Sequence, residues 1–225
     1  MLPEFDKQVL YHLPRPIIPD WLNEGMTQEA INHHMIGYYA PTEQLTIPHF
    51  DVEDRFVGLR GRALGEDAAI YGKYRPMMIN GKMYNHPLGL NLYNINQAKD
   101  AIKKLKKAII FEGEKSCILY ESYFGQENDI SVACCGSSLS NYQIKLLLEC
   151  GAEEIIIAFD RQFKVRGDDE FKHLTKNLKS IDKRYRPYAL ISFIFDKTDL
   201  LPYKSAPIDQ GKEIFLKMYK ERIIL

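Results

Sequence analysis

Three short apolar runs in the second half of this 225-residue chain each end on an acid. Ala108-Ile109-Ile110-Phe111 leads to Glu112, Ile155-Ile156-Ile157-Ala158-Phe159 to Asp160, and Ile191-Ser192-Phe193-Ile194-Phe195 to Asp196. A strand with one wet face alternates apolar and polar residues, so unbroken runs of this length read as strands buried on both faces, as in a parallel sheet. Helix-patterned stretches lie between them, as the right-handed crossovers of such a sheet require. Ligands of open parallel sheets gather outside the carboxyl ends of the strands, which is where the three acids fall. A cluster of oxygen donors there suits Mg²⁺, which takes one or two protein carboxylates and completes its shell with water and substrate phosphate.

The intervening segments carry their own punctuation. Glu112-Gly113 turns into a helix from about Lys115 to Phe124, and a strand follows at Ser131 to Cys135. Ser140-Asn141-Tyr142-Gln143 has the spacing of a capping box opening a helix that ends at Cys150-Gly151. A last amphipathic helix, about Gln210 to Arg222, turns Ile214, Phe215, Met218 and Tyr219 inward. The first half reads differently. Prolines at 3, 14, 16 and 19 precede a helix opened by Thr27 and ended near Gly37. Leu45 to Pro48, Arg55 to Leu64 and Pro76 to Ile79 then read as strands of an antiparallel or mixed sheet. Asn96 reads as the cap of a helix with Ala98, Ala101, Ile102 and Leu105 on one face and Lys103, Lys104, Lys106 and Lys107 on its solvated side. The expected architecture is α/β, with a small mixed-sheet N-terminal subdomain over 1–106 and a mainly parallel sheet flanked by helices over 107–225.

Composition narrows the function classes. Thirty acidic and thirty basic residues cancel, so any electrostatic argument rests on local distribution. The segment from Arg55 to Lys82 concentrates Arg60, Arg62, Lys73, Arg75 and Lys82, with Tyr74 available to stack on a base; these are candidate phosphate and base contacts. No apolar run approaches the roughly 18 residues that cross a bilayer, so no membrane partner is expected. Cys117, Cys134, Cys135 and Cys150 lie in strand or helix patterns without a Cys-x-x-Cys pair and read as buried small hydrophobes, which fits a reducing cytoplasm. His33-His34 has no third ligand at a metal-binding spacing and reads as structural or surface. Glu114 reads equally as a helper at the acidic site or as a helix-start glutamate stabilised by the dipole. Gly136-Ser137-Ser138 could cradle a phosphate, although a loop before a capped helix needs none.

Ile109-Ile110-Phe111-Glu112-Gly113-Glu114-Lys115, then Cys135-Gly136-Ser137-Ser138-Leu139-Ser140, then Ile156-Ile157-Ala158-Phe159-Asp160 resemble a TOPRIM domain, the catalytic module of DnaG-type primases, topoisomerases and several nucleases. Upstream, Ile36-Gly37-Tyr38-Tyr39-Ala40-Pro41, Ile47-Pro48, Val57-Gly58-Leu59-Arg60-Gly61-Arg62, Lys73-Tyr74 and Leu92-Tyr93-Asn94-Ile95 follow the order of the DnaG-type RNA polymerase core. Together they cover nearly the whole chain, and the Glu-Gly-Glu-Lys loop is most similar to phage-borne relatives.

The resemblance implies a primase core that makes short RNA primers on single-stranded DNA from ribonucleoside triphosphates with Mg²⁺ or Mn²⁺. A replicative helicase or a zinc-binding module would be its partners, and the cytoplasm of a bacterial cell, or of the host of a phage, its location. Glu112 takes the place of the family's glutamate and Asp160 of the first acid of Asp-x-Asp, the expected catalytic pair and metal ligands. The second acid is replaced, because Arg161-Gln162 follows. Asp196 and Asp199 are further candidate ligands, Asp199 the better match by spacing, with Asp209 beyond them. Two other readings are a nucleic-acid-binding module weakened in catalysis and a TOPRIM nuclease.

Overall fold

The computed structural model describes residues 1–64 and 74–225. Three short helices open the chain, α1 (Gln8–Tyr11), α2 (Pro19–Asn23) and α3 (Gln28–His33). Thr27 caps α3 by accepting a hydrogen bond from the Ala30 N–H. The helix stops at His33 rather than near Gly37, because Met35 takes positive φ and Gly37 already begins a strand.

Five strands follow: β1 (Gly37–Tyr39), β2 (Gln44–Phe50), β3 (Phe56–Ala63), β4 (Tyr74–Ile79) and β5 (Lys82–Tyr84). They pair in chain order, and every pairing is antiparallel. Strand β2 is buried along its whole length. Pro48 is tolerated in it because β1 pairs only with Gln44 to Thr46, so the missing N–H removes no bond on that side. Gly61 lies where an added Cβ would come within 2.2 Å of the Met77 sulfur and 2.7 Å of Gln44, so only glycine lets the strands close there.

Helix α4 (Ile95–Leu105) leads into the second sheet. Its N-cap is Asn94 at φ 70, not Asn96. The Asn94 amide is occupied by Asp129 at 2.8 Å and the Ser131 carbonyl at 2.9 Å, and Asn96 instead donates to Asp54. The remaining strands are β6 (Lys107–Phe111), β7 (Ser131–Ala133), β8 (Glu154–Ile157) and β9 (Leu190–Phe193), in the order β7-β6-β8-β9 and parallel throughout. Helices α5 (Glu114–Phe124), α6 (Asn141–Glu149) and α7 (Asp169–Tyr185) make the crossovers, and α8 (Lys212–Lys220) follows β9. The capping box at Ser140 forms, with Gln143 answering the Ser140 N–H.

The strand order reverses at the β6/β8 pair. One apolar core runs from Ile18 and Trp21 through Ile47 and Ile102 to Ile110, Ile156 and Met218, so it crosses from one sheet to the other without a break. A smaller core on the other side of the antiparallel sheet gathers Leu10, Phe56, Leu59 and Met77. Among the described residues no helix is long and apolar enough to cross a membrane.

Candidate functional site

Reversal of strand order opens a crevice between the carboxyl ends of the two strands concerned. Ile110 pairs with Ile157, so the chain leaves β6 at Glu112 and passes beyond β8 to Asp160 on the same rim. The Asp160 N–H donates to Glu112 Oε1 at 3.2 Å, and the Gln162 amide nitrogen donates to the same oxygen at 2.5 Å. Burial, and then the charge of Asp160, push the Glu112 carboxyl up to about 7, although the two hydrogen bonds it accepts oppose this. Two carboxylates therefore share one rim, close enough for the charge of one to raise the other.

Asp196 and Asp199 are otherwise engaged. Arg161, 8% exposed, places Nη1 3.1 Å from Asp196 Oδ2 and Nη2 2.8 Å from Asp199 Oδ1. Its remaining donors reach the Phe163, Lys164 and Leu201 carbonyls. Asp196 also accepts the N–H groups of Thr198, Leu200 and Leu201, so its carboxyl stays below the usual range despite burial. Both acids thus act as anchors for the loop after β9. Asp209 accepts the Ala206 N–H in a turn of its own.

The basic residues on β3 and β4 form a chain of contacts that ends beside the crevice. Arg62 lies over the rings of Trp21 and Tyr74, each 5.3 Å away, and donates to the Tyr74 hydroxyl at 2.6 Å. Arg60 lies over the other part of the same Tyr74 contact, 5.4 Å from the ring, and donates to Glu114 Oε1 at 2.6 Å. Arg60 is 12% exposed and Glu114 1%, so this ion pair is interior, and it ties β3 to the first residue of α5. His49 closes on the same oxygen at 3.3 Å. Burial disfavours the Glu114 charge, but the His49 hydrogen bond and Arg60 outweigh it and bring the carboxyl down to about 2. Burial keeps His49 low, and takes its neighbour His86 down to about 3. Arg75 meets the Gln44 amide oxygen at 2.9 Å. Lys82 is exposed on the outer strand, over Phe5 and Tyr84. Lys73 lies outside the described residues.

The fold therefore brings Glu112 and Asp160 together, ties the Arg60–Arg62–Tyr74 array to Glu114, two residues after Glu112, and places Asp196 and Asp199 on Arg161. Sequence reasoning missed the His49–Glu114–Arg60 junction because its members are far apart in the chain and unremarkable locally. It also missed Arg161 as an anchor, although an arginine directly after a strand-end acid, with two further acids downstream, was a usable signal. Among the described residues, the groups of three metal-capable donors within 4.8 Å of one another are His49–Glu114–Cys135 and His34–Glu121–Asp129.

Comparison with known proteins agrees with this fold. The Toprim domain model matches residues 107–186. A "SPbeta prophage-derived uncharacterized protein YorJ" of Bacillus subtilis is 32% identical over 233 residues, covering 99% of this chain and 61% of that protein. A DNA primase of Synechocystis sp. is 33% identical over 129 residues, 55% of this chain and 18% of the primase. The chain thus spans only part of the length of these relatives. In structure it is similar to the E. coli primase catalytic core, with a TM-score of 0.67 and 19% identity over 92% of this chain and 73% of that one.

Proposed function

From a Toprim domain set in the fold of the DnaG-type primase catalytic core, we infer that this chain is a metal-dependent nucleotidyltransferase that builds short RNA primers on single-stranded DNA. The observation that carries this reading is the Glu112–Asp160 pair at the strand-order reversal, with the Glu112 carboxyl raised to about 7. Two carboxylates set side by side at the strand ends fit a divalent cation, and Glu112 and Asp160 would hold Mg²⁺ or Mn²⁺. That ion supplies Lewis-acid polarisation of the reacting phosphoryl group.

The protein's own groups do the rest. A Glu112 oxygen outside the ion's shell can take the proton of an attacking 3′ hydroxyl, which makes Glu112 the candidate base as well as a ligand. Gln162 fixes the Glu112 rotamer from the position where an acid would add charge. With Asp196 held by Arg161 and Asp199 by Arg161 and Arg166, the rim offers two carboxylates rather than four. Arg62 and Tyr74 supply a charged and aromatic wall for template and triphosphate, with Arg75 and Lys82 further along the same sheet and Lys73, outside the described residues, a further candidate contact. The prophage-derived relative supports a phage-related role, and the likeness to primase cores, one solved with its zinc-binding domain, is the ground for proposing a role in DNA replication, a zinc-binding module or helicase as partner and the cytoplasm as location.

The test is a gel of the purified chain with end-labelled single-stranded DNA and labelled ribonucleotides in Mn²⁺, beside Glu112→Gln. Nucleotide-dependent oligomers that vanish in the variant support primer synthesis. Shortened DNA without nucleotide dependence points to a nuclease instead. No product from a chain that still binds DNA points to a binding module, which the Asp160-Arg161-Gln162 sequence would allow, or to a core that needs a zinc-binding module.

A further inference from the structure

A second group of chemistry-bearing side chains lies outside the crevice, where the N-terminal segment meets α5. His34, the C-cap of α3, is 2% exposed, and the carboxylates of Glu121 on α5 and Asp129 before β7 are 7% and 1% exposed. One donor atom from each lies within 4.8 Å of the other two. His34 Nδ1 is held by the Tyr93 hydroxyl at 2.8 Å, which leaves Nε2 facing the carboxylates, 3.0 Å from Glu121 Oε2. That buried nitrogen makes no aligned hydrogen bond. The ion-pair partners of Glu121 are the histidines His33 and His34.

We propose that His34, Glu121 and Asp129 form a structural site for a zinc-class divalent cation, separate from the Glu112–Asp160 crevice. The donor set is one imidazole and two carboxylates, a mixture that suits Zn²⁺ and its Irving–Williams neighbours better than Mg²⁺, which prefers oxygen alone and retains its water. The outer partners have the character of a ligand shell. A ligating histidine has its other nitrogen fixed by a neighbour, as Tyr93 fixes His34, and ligating carboxylates are themselves hydrogen-bonded. Asp129 accepts from the Ser131 N–H at 2.9 Å, from the Ser131 hydroxyl and from Asn94 at 2.8 Å. His33, partly exposed, borders the site on the solvent side and contacts Glu121 at 2.9 Å. The other three-donor group is a poorer host, because the Arg60 guanidinium already lies on the Glu114 carboxylate there.

The experiment is a Co²⁺ and Zn²⁺ titration of the full chain carrying Glu112→Gln, which weakens cation binding in the crevice. The expected result is one equivalent of Co²⁺ with visible ligand-field absorption and no thiolate charge-transfer band, displaced by Zn²⁺ and not by excess Mg²⁺. Tyr93→Phe, which frees the His34 ring without removing a ligand, should weaken binding by roughly 10- to 100-fold. Asp129→Asn should weaken it further, with far-ultraviolet circular dichroism reporting retained fold. Three outcomes overturn the proposal: no saturable Co²⁺ or Zn²⁺ binding, a thiolate band assigning the ion to Cys135, or affinity unchanged in both variants. Should Asp129→Asn not fold, the parent spectrum and Tyr93→Phe decide alone.

Discussion

Gln162 donates its side-chain amide to Glu112 Oε1 at 2.5 Å, so the neutral residue two places after Asp160 is bonded to the strand-end glutamate rather than pointing away from it. In Gln162→Asp this donor becomes a third negative charge on the same rim. We expect Mn²⁺ affinity to rise about tenfold, roughly 1.4 kcal/mol of added binding free energy, and the cation-free protein to melt at lower temperature than the parent. Calorimetric titration and melting curves with and without Mn²⁺ check both; equal affinity in the two proteins would remove Gln162 from the site.

Glu112 gives a pH signature. Its carboxyl is raised from the ordinary value of 4.5 to about 7, so between these limits the native state holds a proton that the unfolded chain has released. The resulting stability is full below about 4.5 and is lost as pH rises through about 7. Glu112→Gln should flatten this part of the stability–pH curve, leave strand binding intact and reduce any turnover by at least about a hundredfold. Urea unfolding from pH 4 to 8 and a turnover assay are the measurements.

Arg60→Ala removes the guanidinium from a carboxylate that is 1% exposed. Breaking one side of an interior ion pair costs about 3–5 kcal/mol, because the remaining charge stays buried. The double variant Arg60→Met with Glu114→Leu should recover most of that loss. In the parent, Glu114 is depressed to about 2, so its contribution is present above about 4.5 and disappears as pH falls towards 2. Denaturant midpoints of the three proteins at pH 7, and of the parent at low pH, test the set.

Nucleic-acid binding should separate two of the basic residues. Arg62 belongs to the Trp21–Tyr74 array that leads to Glu114, whereas Lys82 is on the outer strand of the sheet. Arg62→Ala is expected to weaken single-strand binding about tenfold and to reduce the slope of log K against log salt by about 0.7, one phosphate contact. Lys82→Ala should change both less. Fluorescence anisotropy over a salt series reports the two slopes, and the reverse order would move the path of the strand to the far edge.

The parallel sheet was legible because burial on both faces writes an unbroken apolar run, and Ile155 to Phe159 cannot be read as a half-wet strand. The Ser140 capping box was legible for the same local reason. Asn96 misled because Asn is an equally good cap at either of two nearby positions, and Asn94 is drawn to Asp129, 35 residues away. Glu112 and Asp160 were within reach of a rule about strand ends, and the structure sets them side by side. The fates of Asp196, Asp199 and Arg60 were not readable, since each depends on which opposite charge the fold brings near. His33-His34 seemed inert for a related reason: its acidic partners come from α5 and the segment before β7.

The apolar core that passes unbroken from the antiparallel sheet into the parallel one has a mechanical meaning. Two lobes joined by a thin strap can swing like jaws, but here a swing would have to split the one core that Ile47, Ile102 and Ile110 share, exposing oil to water at every cycle. The two sheets are therefore faces of a single anvil, and the crevice at the β6/β8 reversal keeps its shape unless that shared core is opened.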